Sequence, residues 1–519
     1  MNTRMRFLNA AMRRGGKGFG GHAAFAQMRS SPTSFGVSRA LPTIPLRTLY
    51  TSKTVSKARL FSGQRTCVAA TEPASQQSLL SPSGQNVIET LRERGLVQDI
   101  TSPELEKLSS THSLKVYCGF DPTAESLHLG NLLGIIVLAW FQRHGHTPVA
   151  LLGGATGRVG DPSGKSAERP VMSEETIEKN TRGIEATLRG LLTAREDHIK
   201  TPEIVNNLDW FGGMGLLTFL RDVGKYARVG TMINKESVKK RMESETGISY
   251  TEFTYQLLQG YDFVHLSKEM GIQVQIGGSD QWGNIVAGTE LARKMSGVED
   301  AEDGEDGDAK PTTFGMTFPL LLKADGSKFG KSESGAVWLS ASMLSPYLFY
   351  QHLLKTTDAD VIKFIKMLTF LPMEEVEKIE RDMSADGYVP NTAQKILAAE
   401  VTKFVHGEDG LRQALSATEA LAPGSQTKLS AETLAAAAGD CPTASVSDIV
   451  GMLLTDVMVQ VGMQPTKAAV RRMIKGGGVR INNEKVDDEL YAIKAEDVID
   501  GKFVLLAAGK KNKMLIELQ

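Results

Sequence analysis

Cysteine is scarce. The 519-residue chain has three, Cys67, Cys118 and Cys441, too few and too widely spaced for a disulfide framework or a Cys-rich zinc site. A reduced compartment is the expected setting. Long apolar runs are also missing: no eighteen uninterrupted apolar residues occur, so neither a membrane-spanning helix nor a membrane partner is expected. The first 71 residues contain no acid but twelve Lys or Arg, with many Ser, Ala and Gly, and the first carboxylate is Glu72. Because Arg alternates there with Leu, Phe and Ser, the composition fits an organelle transit peptide better than a nucleic-acid-binding arm. Residues 1–80 are expected to be a disordered leader that directs the chain to the mitochondrial matrix, a plastid or both. Removing twelve positive charges from a net −1 leaves −13 on residues 72–519, so a nucleic-acid partner would have to be held by local basic patches.

Two phosphate-binding signatures are absent too. No Gly-x-Gly-x-x-Gly follows the first clear strand, which argues against a dinucleotide dehydrogenase. Gly160-Asp-Pro-Ser-Gly-Lys-Ser166 misses a Walker A loop by one residue between its glycines. What is present is ample apolar material, 41% hydrophobic against 23% charged, enough for two or three packed domains. Leu114 to Cys118 reads as a buried strand running into Gly119-Phe-Asp-Pro122, and His128-Leu-Gly-Asn131 opens a helix through Leu132–Phe141 that stops at His144-Gly145. Pro148 to Leu152 and Val274 to Gly277 read as further strands, the second followed by a helix from Asp280 to Met295. Strands alternating with helices imply an α/β fold with a Rossmann-like parallel sheet. Ligands of such sheets bind beyond the carboxyl ends of the strands, where Tyr117, Asp121, His128 and Asp280 would gather. His128 before a helix N-terminus suits phosphate oxygens. Tyr255, Gln259 and Asp262, spaced i, i+4, i+7, would share one helix face. Were that face ordinary packing, Asp262 would lack a partner.

Longer strings carry a resemblance. Tyr117-Cys-Gly-Phe-Asp-Pro-Thr-Ala-Glu-Ser-Leu-His-Leu-Gly-Asn131 and Lys328-Phe-Gly-Lys-Ser332 resemble the first and second motifs of class I aminoacyl-tRNA synthetases. Gly153-Gly-Ala-Thr-Gly157, Gly160 to Gly164, Tyr255 to Asp262 and Gly277-Gly-Ser-Asp-Gln-Trp-Gly-Asn284 narrow it to the tyrosyl-tRNA synthetases, over about residues 85–519. The resemblance implies that tyrosine is activated with ATP to tyrosyl-adenylate and pyrophosphate, then transferred to the 3′ end of tRNA(Tyr), chemistry that needs positioning and charge stabilisation rather than a covalent nucleophile. It implies that Thr123 and His128 contact ATP phosphates while Lys165, Arg169, Lys328 and Lys331 neutralise the leaving pyrophosphate. It places Cys118, Gly119, Asp121, Gly130, Asn131, Gly278, Asp280 and Ser332 with the nucleotide. Tyr117 and Asp262 would meet the phenolic hydroxyl of tyrosine, Asp161, Tyr255 and Gln259 its ammonium, and Gln281 the carboxylate side. Magnesium would accompany ATP, with no acidic cluster specifying a protein-bound metal. Asn131 stands where many relatives have histidine, and Gly330 is expected to keep the second loop free to close.

These readings divide the chain into a catalytic domain at 85–335, a helical anticodon-binding domain at 345–425, a linker at 426–446 and a C-terminal domain at 447–519. Helices are expected at Pro346–Leu354, Asp360–Thr369, Glu374–Met383 and Thr392–His406. The stretch from Met463 to Asn483 resembles a small α+β S4 RNA-binding domain, and six Lys or Arg against one Glu in Gln464–Lys485 make Lys467, Arg471, Arg472 and Lys475 its candidate RNA contacts. Glu299–Asp308, seven acids in ten residues, is expected to be a disordered surface loop. The resemblance also implies a homodimer. Two other readings remain open: a tryptophanyl enzyme, against which the phenol-directed Tyr and Asp argue, and an added role in intron splicing.

Overall fold

The computed structural model describes residues 85–165, 167–168, 170, 172–193, 200–296, 313–332, 335–422, 425, 429–438, 441–509 and 512–519, without the side chains of 331, 332 and 437. The expected leader, the acidic tract Glu299–Asp308 and Arg169 lie outside them.

The central sheet has six strands: β1 (Asp99–Ile100), β2 (Lys115–Phe120), β3 (Thr147–Leu152), β4 (Glu203–Asn206), β5 (Val274–Gly278) and β6 (Phe314–Phe318). Their spatial order is β1-β6-β5-β2-β3-β4, parallel throughout except for β1 at the edge. Strands β2, β3, β5 and β6 read as near-continuous apolar runs because helices cover both faces, and their residues are buried almost end to end. Three strands escaped the sequence reading. β1 is two residues long, β4 is only half-buried, and five residues separate β6 from the acidic tract.

The expected helices are present with small shifts: Pro346–Leu354, Asp358–Leu368, Met373–Met383 and Thr392–Ala420. The last runs well past His406, and Gly407 breaks its geometry at φ 74°, ψ −178°, where the apolar pattern had pointed to an end. One continuous core joins these helices to the sheet through the helix Leu129–Arg143. The buried Arg94 ties them together: its guanidinium lies over the Trp140 ring at 4.3 Å and donates to the Thr369 carbonyl at 3.1 Å.

The C-terminal part forms its own sheet of β9 (Thr443–Val446), β10 (Val479–Ile481), β11 (Glu484–Lys485), β12 (Phe503–Ala508) and β13 (Asn512–Leu518), ordered β11-β10-β12-β13-β9 around a separate apolar core. A stretch whose composition suggested a linker thus holds a helix, Ala431–Ala437, and strand β9, which pairs in parallel with β13. Its alanines and threonines were misleading because Leu434 is fully buried among Phe503, Leu505 and Leu515. Asn482 and Asn483, both at positive φ, form the two-residue turn between β10 and β11, as a type I′ hairpin requires. Asn483 Nδ2 and Lys513 Nζ donate to the carbonyls of Ala420 and Leu421 at 2.7 and 2.6 Å, capping the long helix from the C-terminal sheet.

His146, fully buried before β3, accepts the Leu114 N–H on Nδ1 at 3.1 Å, and burial pushes its pKa down to about 3. The unfolded imidazole, near 6.5, takes up a proton that the folded one refuses. Stability should therefore fall as pH drops from about 6.5 toward 3, by up to about 1.4 kcal/mol per pH unit for this group. Urea midpoints at pH 7 and pH 5 are expected to show the loss, and His146→Asn, which keeps an acceptor, to show less of it; equal slopes would contradict the assignment.

Candidate active site

Strand order reverses between β2 and β5: β3 and β4 lie on one side, β6 on the other. The segments leaving these two strands diverge there and open a crevice at their carboxyl ends. Into it fall Asp121 to His128 after β2 and the turn Ser279–Gln281 after β5, which begins at Gly278.

Tyr117 on β2 is 1% exposed, its ring edge-on to Phe263 at 5.4 Å, and its hydroxyl has no hydrogen-bond partner among the described residues. Burial and the charge of Asp262 hold its phenol well above the ordinary range. Asp262 lies on the helix Tyr250–Met270, its carboxylate accepting from Asn207 Nδ2 at 3.2 Å and Trp210 Nε1 at 3.0 Å. Burial still drives its pKa up, against the pull of those two donors and with Asp121 adding to the rise. Asp262 therefore has protein donors of its own, so the lack of a partner cannot be held against an ordinary packing face. Its donors come from the end of β4, which the sequence reading had not located. Asn207 Nδ2 also donates to Thr156 Oγ1 at 3.0 Å, Thr156 to Asp121 Oδ1 at 2.7 Å, and Tyr255 OH to Asp121 Oδ2 at 3.0 Å. The side chain of Asp121 is thus engaged in organising the loops. Gly153 is needed beside it, since a Cβ there would stand 2.0 Å from Asp121 Oδ1.

A second polar arm starts at Asp161. Its oxygens accept from the Ser163 N–H at 2.9 Å and Gln281 Nε2 at 2.7 Å, and Gln281 Oε1 accepts from Gln259 Nε2 at 3.2 Å. The carbonyl oxygen of Gln259 is buried without a partner among the described residues. Asn284 bridges Ser163 and Lys235, donating to Ser163 Oγ at 3.3 Å and accepting from Lys235 Nζ at 3.5 Å; burial lowers that ammonium to about 8 against the opposing pull of Asp161 and Glu290.

On the other side of the crevice, His128 caps the helix Leu129–Arg143: Nδ1 accepts the Gly130 N–H at 3.1 Å, and Asn131 Oδ1 accepts the His128 N–H at 3.1 Å. Asn131, expected at the nucleotide, therefore has an oxygen committed to the cap. Strand alternation turns Cys118 away from Tyr117, into the core beside Gly134, and burial raises its thiol to about 12. Burial and Asp161 push the Asp280 carboxyl up, while its own backbone N–H and the Lys328 and Lys165 ammonium groups pull it down. Thr123, Gly119 and Gly130 are exposed.

The loop bearing Lys328 is anchored from behind. Phe329 is buried with its ring 4.1 Å from Phe364, and Asp360 accepts the Ala324 N–H at 2.7 Å. Val337 accepts from the Leu129 N–H at 2.8 Å, so the segment after the loop runs alongside the helix start. The side chains of Lys331 and Ser332 lie outside the described residues.

The description "tRNA synthetases class I (W and Y)" fits residues 109–422, and "Tyrosine--tRNA ligase SYY-like C-terminal domain" fits residues 433–516. The chain is 53% identical to a chloroplastic/mitochondrial tyrosine–tRNA ligase of Arabidopsis thaliana, over 88% of its own length and 90% of the relative's. The chain belongs to the tyrosyl-tRNA synthetases. A tyrosine–tRNA ligase of Protochlamydia amoebophila is 52% identical over 83% of this chain and 99% of that one. Among solved structures, a C-terminally truncated mitochondrial tyrosyl-tRNA synthetase of Aspergillus nidulans is 34% identical with a TM-score of 0.56, covering 64% of this chain and 92% of its own. Members of this class I family use ATP to join tyrosine to tRNA.

The structure joins Asp121, Tyr255 and Asp262 with Thr156, Asn207 and Trp210 in one hydrogen-bonded set, and Asp161, Gln259 and Gln281 with Ser163 and Asn284 in another, with Tyr117 buried without a partner among the described residues; sequence reasoning had assigned no site role to Thr156, Ser163, Asn207, Trp210 or Asn284. Asn207 could have been sought as the residue ending a strand; nothing local pointed to Trp210. Gly330 carries a different lesson. A Cβ on it would lie 2.8 Å from the Gly130 nitrogen, so glycine is required by close backbone approach, where loop movement had been the expected reason. Gly330→Ala is expected to slow activation about ten- to a hundredfold by displacing the lysine loop, with little change in Tm. Pyrophosphate exchange at the wild-type rate would refute the requirement.

Proposed function

We propose that this chain charges tRNA(Tyr) inside an organelle, the mitochondrial matrix first, and that the crevice between β2 and β5 is where tyrosine and ATP meet. The observation that carries the reading is the buried Tyr117 hydroxyl without a partner, beside the Asp262 carboxylate. An unmet hydroxyl costs about 1–3 kcal/mol, a deficit that the phenol of a bound tyrosine removes. Tyr117 and Asp262 read that phenol. Asp161, Tyr255 and Gln259 face the ammonium, Gln259 through its unpartnered oxygen, and Gln281 lies toward the carboxylate.

The tyrosine carboxylate attacks the α-phosphorus of ATP, one new O–P bond forming as the bond to pyrophosphate breaks. Thr123 and His128 hold phosphate oxygens at the helix start, with Gly130 leaving room for approach. Lys165, Arg169, Lys328 and Lys331 stabilise the departing pyrophosphate. Asp280 takes the ribose hydroxyls, and Gly119, Asp121, Asn131, Gly278 and Ser332 line the nucleotide side, the Cys118 thiol lying in the core behind them. Magnesium would accompany ATP as its counter-ion.

For RNA, the helix Lys467–Lys475 buries Val470 and Ile474 and exposes Lys467, Arg471, Arg472 and Lys475, as an S4 domain would. Lys467 and Lys475 are paired with Asp456 and Glu489 at 2.7 and 3.0 Å, so Arg471 and Arg472 are the readier phosphate contacts. The acid-free leader supports organelle import. Exposed Leu216, Leu217, Leu220 and Val229 supply an apolar strip suited to a homodimer.

Pyrophosphate exchange with each of the twenty amino acids tests the reading: tyrosine alone should support it. Tyr117→Phe should weaken tyrosine activation by about 0.5–1.5 kcal/mol in kcat/KM and leave phenylalanine nearly unchanged. Equal losses would mean Tyr117 does not read the phenol. Removing everything after residue 429 should keep tyrosyl-adenylate formation and sharply raise the KM for tRNA; loss of exchange in a folded truncation would oppose that division of labour.

A further inference from the structure

Asp262 is held by two donors of unequal security. Asn207 is fully buried, and its side-chain oxygen accepts the Ala155 N–H at 2.7 Å, so the backbone fixes it. Trp210 is half-buried on a four-residue helix, Leu208–Phe211, none of whose residues is buried. A helix so short supplies little rigidity of its own. Trp210 packs against the buried cluster that includes Val149, Leu151 and Phe263, and the ring stacked on its indole plane is His265, at 4.4 Å between centroids with 21° between planes. Its other ring contact, Phe211, is tilted at 6.3 Å. His265 follows Asp262 by three residues on the same helix, so a single turn carries both the acceptor and the ring that braces its donor.

We propose that His265 is a positioning residue for amino-acid selection: its imidazole fixes the plane of Trp210 so that Nε1–H points at Asp262 Oδ1, and thereby orients the carboxylate that meets the tyrosine phenol. The inference rests on the phenol-reading role given above to Asp262. His265 itself touches no substrate. Its effect is confined to substrates bearing the hydroxyl, because phenylalanine offers Asp262 nothing to orient toward.

The test is kcat/KM for tyrosine and for phenylalanine in pyrophosphate exchange, with wild type, His265→Ala, His265→Phe, Trp210→Phe and the double variant His265→Ala/Trp210→Phe. An aromatic pair worth about 0.5–1.5 kcal/mol corresponds to a loss of about two- to twelvefold. His265→Ala is expected to lose that much with tyrosine and almost nothing with phenylalanine, and His265→Phe, which keeps a flat ring, to recover most of it. In the Trp210→Phe background, where the donor is gone, removing His265 should have no further effect. Equal losses for both amino acids, or full additivity with Trp210→Phe, would overturn the proposal. Should the alanine variant fold poorly, His265→Leu fills the space without the ring and is expected to behave as alanine does. Asp262→Asn separates the two levels: a strong loss with tyrosine while His265→Ala is silent defeats only the bracing role, whereas an Asp262→Asn enzyme with normal tyrosine activation defeats the phenol reading as well.

Discussion

The polar chain from Tyr255 through Asp121, Thr156 and Asn207 to Asp262 and Trp210 is the constraint on which the site depends. Each link is a hydrogen bond of 2.7–3.2 Å, and the links come from the ends of three neighbouring parallel strands and one long helix. Inside the protein such bonds strengthen one another, and an unpaired member is costly, so each link favours the others. Three loops are thereby held to one helix. The crevice keeps its shape because these loops cannot move independently.

Charge placement follows from the same scaffold. Carboxylates 121, 161, 262 and 280 crowd one end of the sheet, and that density would be unfavourable without donors from Asn207, Trp210, Gln281 and the Ser163 backbone. The N-terminus of the helix Leu129–Arg143 offsets them, as does the pull of the Lys165 and Lys328 ammonium groups on Asp280. One side suits an amino acid's ammonium and phenol, the other a polyphosphate. A reaction that relies on alignment needs both halves rigid, and the lysine loop gains its rigidity from elsewhere. Phe329 seats it on Phe364, and Gly330 presses it against Gly130.

The C-terminal sheet is joined to the body at the end of a helix. Asn483 and Lys513 satisfy carbonyls that the helix Thr392–Ala420 leaves open, while Ser345 donates to Ala436 at 2.8 Å. Burial lowers the Lys513 ammonium, so this contact is part of the packed junction. The exposed basic helix is thus carried on a defined mount.

Local pattern alone determined the alternating strands and helices, the parallel sheet, the helix carrying Tyr255, Gln259 and Asp262 on one face, and the four helices after residue 345. Periodicity and turn residues are properties of a few neighbours, so they are written in short windows. The two signature strings, likewise contiguous, marked Tyr117, His128 and Lys328 through their resemblance. Tertiary structure alone decided what contiguous text cannot hold. Asn207 and Trp210 reach Asp262 across some fifty residues of chain, and Gly330 is glycine because of Gly130 two hundred residues earlier. The segment 431–446 folds, despite a linker-like composition, because Leu434 and β9 find partners in strands that follow it. Hydrogen bonds and close approaches between distant residues come into being only when the sheet is assembled.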